Sequence, residues 1–174
     1  MQQPEVFDLL VADEPFHDYA DKLMLFGQFV GVWDVAATWY DHGTVQRTDT
    51  GEWHFTWILG GRGIQDVLFA TGVPSQQFGT TLRCYDPASD TWHVCWMQPA
   101  GGEFVHLQGG AVGDAIVLEG TGTDARRIER WSFLDITHDS FLWRGGVSLD
   151  QGVTWLLEQE MRAHRRAMRS AEGT

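Results

Sequence analysis

The sequence predicts a closed, mostly antiparallel β-barrel of about ten strands with one short helix near its N-terminus. Three observations predict this fold class. Short segments alternate apolar and polar residues, they follow one another at regular intervals, and the breaks between them contain the Gly, Pro and Asp residues typical of tight turns. With so many strands, closing the sheet into a barrel removes its unpaired edges.

The composition indicates one domain and excludes several classes of function. A chain of 174 residues can bury one sizeable core, and we expect a loosely held arm over residues 1–16 and a barrel domain over residues 17–169. The net charge of −12 argues against a nucleic-acid partner, because phosphates need a basic surface. The sequence shows no export signal and no apolar run long enough to span a bilayer, so we expect a cytoplasmic protein without a membrane partner. Cys84 and Cys95 are then expected to be free thiols.

Periodicity defines the elements in order. Apolar residues recur at three- and four-residue spacing from Asp18 to Phe29, which predicts a helix of about three turns. Gly31 begins the first strand, whose residues alternate as far as Trp39. The remaining predicted strands are Val45–Asp49, Gly51–Ile58, Ile64–Phe69, Gly79–Tyr85, Thr91–Gln98, Phe104–Gly110, Ala115–Gly120, Ile128–Ile136, Ser140–Ser148 and Thr154–Arg165.

The segment from Gly51 to Asp66 predicts an aromatic hairpin with one charge at its bend. Trp53, Phe55 and Trp57 project to one face, and aromatic side chains of roughly 150–250 Å² each need to be buried. The glycines that follow allow a sharp corner, and Arg62 lies among them.

The last hairpins can be placed in register. If residues 136–140 form a loop, Trp143 lies opposite Phe133 and Gly145 lies opposite Trp131. If the Asp-Gln-Gly turn at residues 150–152 pairs Ser148 with Thr154, Arg144 lies opposite Glu158 on the outer face. We expect that pair to form a surface salt bridge.

Several runs resemble a known fold family. Gly31-Val32-Trp33 after a short helix is similar to the glycine-x-tryptophan signature of lipocalins and other calycins. The runs Gly-Glu-Trp-His-Phe, Gly-Arg-Gly-Ile-Gln-Asp-Val, Gly-Thr-Thr-Leu-Arg-Cys-Tyr-Asp-Pro, Ser-Phe-Leu-Trp-Arg and Asp-Gln-Gly-Val-Thr-Trp resemble an uncharacterised bacterial family with a lipocalin-like domain of unknown function. The resemblance implies a barrel with an internal cavity, and an arginine, Arg162 or Arg165, that covers Trp33. It implies no catalytic residues.

Aromatic side chains are the candidates for a ligand-binding wall. Alternation places many of the tryptophans inside the barrel, which is consistent with either a filled core or an aromatic pocket for a flat or polyene-like apolar ligand. The candidate ligand-binding residues are Trp57, Trp96, Trp131, Trp143, Phe55, Tyr85 and His106. The face of the strand that His106 occupies depends on the length of the preceding loop.

Four charged residues are candidates for catalysis. Arg62, Asp66, Arg83 and Glu119 lie on or beside segments that face inward. Buried charges persist only when they are paired, so Arg62–Asp66 or Arg83–Glu119 could orient a ligand's carboxylate or enol. The alternative for each residue is a surface ion pair.

Histidines and cysteines indicate no metal site. The histidines lack the spacing of metal ligands, and the two cysteines are separated in sequence. His164 raises the question of haem ligation, but the arginines beside it favour a solvated segment. We therefore expect no metal and no other cofactor.

Three functions remain: a cofactor-free enzyme that cyclises or isomerises an apolar or aromatic small molecule, a carrier or sensor of such a ligand, and a solid-cored interaction protein. We favour the enzyme because a carrier needs no internal charge. The sequence leaves a monomer and a homodimer both open.

Overall fold

The chain forms a closed barrel. The computed structural model describes residues 10–71 and 77–167. A 3-10 turn, His17–Tyr19, leads into one helix, α1, which spans Ala20–Gly27. The strands are β1 Gly31–Asp41, β2 Thr44–Ile58, β3 Gly63–Ala70, β4 Gln77–Asp86, β5 Thr91–Gln98, β6 Glu103–Val112, β7 Ala115–Thr121, β8 Ile128–Leu134, β9 Ser140–Ser148 and β10 Leu156–Arg165.

The topology is a simple meander. Each strand pairs antiparallel with the next, and β10 pairs with β1 to close the barrel. The predicted fold class, a closed antiparallel barrel of about ten strands with a short N-terminal helix, is confirmed. The two segments predicted on either side of Gly51 form one strand, β2, because Gly51 faces the interior and continues the ladder. A Cβ at this position would lie 2.7 Å from the carbonyl oxygen of Phe69.

The helix plugs one end of the barrel, which we call the closed end. Phe26 of α1 is fully buried, with its ring centroid 4.9 Å from that of Trp92 and 5.6 Å from that of Phe133. Phe29, just after the helix, packs against Phe133 at 5.2 Å and Phe141 at 4.7 Å. These rings fill the closed half of the barrel with aromatic side chains.

Trp33 and Arg165 form the contact that the calycin resemblance implies. Trp33 is fully buried, and its indole N–H donates to the carbonyl oxygen of Phe29 at 2.7 Å. The Arg165 guanidinium lies 4.1 Å from the Trp33 ring centroid and donates to the carbonyl oxygens of Val30 at 2.8 Å and Gln28 at 2.6 Å. Arg165, rather than Arg162, therefore ties the last strand to the residues before β1.

The predicted register is right for one C-terminal hairpin and wrong for the other. Trp131 lies opposite Gly145 and Phe133 opposite Trp143, as predicted. In the β9–β10 hairpin, Leu156 pairs with Val147, and a bulge between Leu157 and Gln159 shifts the register. Arg144 consequently pairs with Glu160 instead of Glu158, with 2.9 Å between its Nε and a carboxylate oxygen.

The segment before the helix contacts the β2–β3 hairpin. The backbone N–H of Ala12 donates to Trp57 at 3.0 Å, and that of Phe16 donates to Gly61 at 3.1 Å. The predicted arm is therefore hydrogen-bonded over its described part, while residues 1–9 lie outside the described residues. Over residues 10–71 and 77–167, no helix is both long and apolar enough to cross a membrane.

Candidate functional site

The half of the barrel opposite the helix, which we call the open half, contains a cavity of about 680 Å³. Cavities that hold a small organic molecule are of this size. Its apolar wall is formed by side chains from most of the strands: Trp39, Trp53, Leu68, Phe78, Trp96, Val105, Trp131, Trp143 and Met161. The barrel is therefore solid at the closed end and hollow at the open end.

Glycines explain why the open half stays hollow although it contains so many indoles. Gly79 and Gly145 lie next to the rings of Trp96 and Trp143, where a Cβ would come within 2.6 Å and 2.5 Å of the respective Cη2 atoms. Each indole therefore packs over a glycine along the wall. Any larger residue at Gly79 or Gly145 would displace these rings.

The mouth of the cavity carries charged side chains. Arg127 donates through Nη2 to Glu158 at 2.6 Å and through Nε to Glu129 at 3.4 Å. The Arg47 guanidinium lies 3.7 Å from the Trp39 ring centroid. The charged residues that line the cavity are Arg47, Glu103, Asp124, Arg127, Glu129 and Glu158. Carboxylates outnumber guanidinium groups among them, so the mouth disfavours an anionic ligand.

Glu129 is the acidic group best placed for chemistry. It precedes Trp131 by two residues on β8 and therefore shares the inward face of that strand. Its side chain is 16% exposed, and burial raises its pKa above the ordinary glutamate value although Arg127 opposes this effect. A carboxyl group on a cavity wall can accept a proton from a bound molecule or donate one to it, and a raised pKa makes the carboxylate a stronger base.

A buried ion pair lies below the cavity. Arg83 donates through Nη1 to Asp66, and both side chains are fully buried. Asp66 also accepts the backbone N–H of Thr81 at 3.1 Å. The Arg83 guanidinium lies 5.3 Å from the ring centroid of Phe26. The pair thus belongs to the packed half of the barrel, and of these residues Thr81 lines the cavity.

The two predicted ion pairs that involve Arg62 and Glu119 do not form. Arg62 is exposed at the β2–β3 corner, where its guanidinium lies 3.4 Å from the Phe16 ring centroid. Glu119 is out of phase with the inward residue Leu118, and it pairs with Arg130 at 2.6 Å on the outer face. None of the four predicted catalytic residues, Arg62, Asp66, Arg83 and Glu119, lines the cavity.

The predicted ligand-binding residues divide between the two halves of the barrel. Trp96, Trp131 and Trp143 line the cavity. Trp57, Phe55 and Tyr85 lie instead toward the closed end, where Trp57 packs on Gly27 of the helix. His106 faces outward and stacks on His93, with 5.9 Å between ring centroids. Alternation along a strand predicts which face a residue occupies, but not its level along the barrel axis.

Sequence reasoning missed several cavity residues, although a signal existed for most of them. Trp53, Thr81 and Glu129 each lie two residues along a strand from a residue that was predicted to point inward, namely Phe55, Arg83 and Trp131. Residues two apart on a strand share one face, so the same alternation places these three side chains inside the barrel. Glu158 was predicted on the outer face, yet it lines the mouth because the β10 bulge changes its phase. The sequence contains no pattern that predicts this bulge.

The described part of the chain contains no cluster of side chains that could bind a metal ion. No group of three or more His, Cys, Asp and Glu side chains within residues 10–71 and 77–167 is arranged to hold a metal ion. His164 is exposed opposite Asp34 on the outer face of β10. The absence of a cofactor stays a prediction.

Comparison with known proteins supports the fold. No protein-family model and no curated protein sequence matches the chain. Rv2717c from M. tuberculosis is 14% identical, with a TM-score of 0.50 over 85% of this chain and 99% of that one. The S-type phycobiliprotein lyase CPES from Guillardia theta is 12% identical, with a TM-score of 0.53 over 83% of this chain and 92% of that one. These similarities are consistent with a calycin-like barrel, while the link to the uncharacterised bacterial family stays a resemblance.

Proposed function

We propose that the protein binds one small, flat and largely apolar molecule in the open-half cavity. The observation that carries this proposal is an internal space of about 680 Å³ walled by the indoles of Trp53, Trp96, Trp131 and Trp143. Indole faces bind flat conjugated rings through apolar contact and stacking. The carboxylates at the mouth favour a ligand whose outer end is neutral or positively charged.

Narrowing the cavity should abolish binding. Val105 lines the cavity and is 5% exposed, so Val105→Trp places an indole inside the binding space. We expect wild-type protein to bind the neutral probe N-phenyl-1-naphthylamine with one-to-one stoichiometry, and Val105→Trp to weaken binding tenfold or more. A tenfold change corresponds to about 1.4 kcal/mol. The measurement is probe fluorescence during a titration.

A matched variant controls for the added tryptophan. Val112 is 61% exposed at the far end of the same strand, so Val112→Trp adds the same side chain outside the cavity. It should bind the probe like wild type. If Val105→Trp and Val112→Trp bind equally well, the probe does not occupy the cavity and the proposal fails.

A second candidate function is cofactor-independent isomerisation or cyclisation in the same cavity, and the position of Glu129 favours it. We infer that the Glu129 carboxylate takes a proton from a carbon beside a ligand carbonyl and returns it to a carbon of the resulting enolate. Arg127, 3.4 Å from Glu129 at the mouth, would stabilise the enolate oxygen. That a barrel of this fold serves as a phycobiliprotein lyase supports an enzymatic role beside a carrier role.

Hydrogen–deuterium exchange tests this activity without the natural substrate. In deuterated buffer, wild-type protein should accelerate exchange of the α-protons of 2-tetralone, followed by mass spectrometry. Glu129→Gln keeps the shape of the side chain and should lower the rate about a hundredfold, as loss of a general base does. Glu119→Gln, on the outer face, is the control and should exchange at the wild-type rate. Equal rates for wild type and Glu129→Gln would favour the carrier.

A further inference from the structure

The charges at the cavity mouth are concentrated on one side, which we call the acidic side. It is the half of the closed barrel that runs from β6 to β10, and three carboxylates that line the cavity belong to it. Arg127, just before β8, lies among them. Asp124, in the same half, is already bonded by Arg126 at 2.9 Å and 3.0 Å. The three carboxylates are those of Glu103 on β6, Glu129 on β8 and Glu158 on β10.

The guanidinium of Arg127 compensates these carboxylates only in part. It lies 2.6 Å from Glu158 through Nη2, but its Nε is 3.4 Å from Glu129, which is long for a hydrogen bond. The Glu103 carboxylate accepts the neutral indole N–H of Trp96 at 3.0 Å. Burial raises the pKa of Glu129, and the Glu158 and Glu103 charges add to this effect while Arg127 opposes it. A second cation would therefore be stabilised by negative charge that the described side chains leave uncompensated.

Two indole rings lie beside these carboxylates and are accessible from the cavity. Trp96 is half-buried and Trp131 is 9% exposed, and both line the cavity. Their ring planes are nearly perpendicular, at 80°, with 6.1 Å between centroids. Glu103 bonds to the first ring, and Glu129 shares a strand face with the second. The two rings therefore form an aromatic corner on the acidic side of the mouth.

An aromatic corner flanked by carboxylates favours a large, weakly hydrated cation. The face of an indole ring attracts a cation that lies within about 6 Å of its centroid. The mouth already contains one such contact, because the Arg47 guanidinium lies 3.7 Å from the Trp39 ring centroid on the other side of the barrel. An alkylated ammonium group combines apolar methyl surface with one positive charge, so it suits both the rings and the carboxylates.

We propose that the ligand carries a protonated tertiary amine or a quaternary ammonium group, bound against Trp96 and Trp131 on the acidic side of the mouth, with its flat apolar part in the open-half cavity. This inference rests on the proposed binding function, and it narrows the outer end of the ligand to a positively charged one. The cavity supplies the binding space, and the carboxylates select the charge of the molecule that enters it. The ligand class is therefore flat aromatic compounds with an alkylated amine.

Two probes of the same shape but different charge test the proposal. Trimethyl(2-naphthyl)ammonium carries a positive nitrogen where 2-tert-butylnaphthalene carries a neutral carbon, and each of these atoms bears three methyl groups. The measurement is displacement of bound N-phenyl-1-naphthylamine by each probe. The ammonium compound should bind wild-type protein about tenfold more tightly although it is the less hydrophobic of the two. This preference corresponds to about 1.4 kcal/mol.

Removing one carboxylate should reduce the preference for the ammonium compound. Glu129→Gln and Glu158→Gln each keep the size of the side chain and remove one negative charge, so each should lower the preference several-fold. Glu119→Gln is the control, because it changes the net charge equally on the outer face, where Glu119 pairs with Arg130 at 2.6 Å. It should leave the preference unchanged. Circular dichroism selects the folded variants, and either Glu129→Gln or Glu158→Gln suffices.

Removing the competing guanidinium should have the opposite effect. Arg127→Gln leaves Glu129 and Glu158 without the cation between them, so the preference for the ammonium compound should rise several-fold. A purely structural role of Arg127 would instead weaken the binding of both probes alike. Arg130→Gln is the control, since Arg130 lies on the outer face over Trp155 and does not line the cavity. It should bind both probes as wild type does.

The outcomes separate this inference from the binding function. If wild-type protein binds 2-tert-butylnaphthalene as tightly as the ammonium compound, the ammonium proposal is overturned while the cavity still binds apolar ligands. If neither compound displaces N-phenyl-1-naphthylamine, the ammonium proposal also fails. If N-phenyl-1-naphthylamine itself does not bind, the binding function fails and the ammonium proposal falls with it. A preference that persists unchanged in Glu129→Gln, Glu158→Gln and Arg127→Gln overturns the assignment to the acidic side.

Discussion

Replacing Asp66 with alanine is expected to lower the free energy of unfolding by about 3–5 kcal/mol, the usual cost of breaking a buried ion pair. Arg83 is fully buried, and Asp66 is the carboxylate that it donates to. The variant leaves a guanidinium among the rings of Phe26 and Phe55, 5.3 Å and 5.4 Å away. It also removes the acceptor of the Thr81 backbone N–H. Urea unfolding measures the loss.

The double variant Asp66→Leu with Arg83→Met is the control. Apolar side chains of similar size leave no charge unpaired, so much of the lost stability should return. If Asp66→Ala loses less than about 1 kcal/mol, the pair contributes little to the fold. A double variant as unstable as the single one would show that the cost arises from the Thr81 backbone instead.

Trp33→Ala should lower the free energy of unfolding by about 3–5 kcal/mol, as for other large-to-small changes in a core. The side chain is fully buried, contacts the rings of Phe29 and Phe141, and lies under the Arg165 guanidinium. Removing it leaves a cavity at the closed end and deprives Arg165 of its aromatic partner. Urea titration followed by circular dichroism measures the loss.

Trp155→Ala is the matched control for Trp33→Ala. Trp155 also lies under an arginine, with the Arg130 guanidinium 3.6 Å from its ring centroid, but on the half-buried outer surface. Its loss should cost about 1 kcal/mol or less, since exposed cation–π contacts contribute little. A cost below about 1 kcal/mol for Trp33→Ala would mean that the closed end does not depend on this residue.

Alternation along the strands predicted the faces of the barrel well, because a period of two follows from backbone geometry. It could not predict the level of each residue along the barrel axis. Trp53 and Trp57 share one face of β2, yet Trp53 lines the cavity and Trp57 packs on Gly27 of the helix. Level depends on how far each strand is staggered against its neighbours and on which end the helix fills. Both are properties of the assembled barrel.

Charge pairing was predicted less well because it depends on contacts between distant parts of the chain. The alternation of residues along the strands placed Asp66 and Arg83 on or beside segments that face inward. It did not predict that the two side chains contact each other. They meet because β3 pairs with β4, which sets Asp66 opposite Thr81. Glu158 was misplaced for a local reason, the bulge between Leu157 and Gln159. A bulge adds a residue to one strand and reverses the phase beyond it.

The central claim is that the open half of the barrel, and not the closed half, holds the ligand. The chain has nine tryptophans, and their indole N–H groups give separate signals in proton–nitrogen correlation spectra of labelled protein. On titration with N-phenyl-1-naphthylamine, the signals of Trp53, Trp131 and Trp143 should shift in a saturable way. Those of Trp33, Trp57 and Trp92 should stay in place. Shifts confined to that second group, or to Trp155 on the outer surface, would contradict the claim.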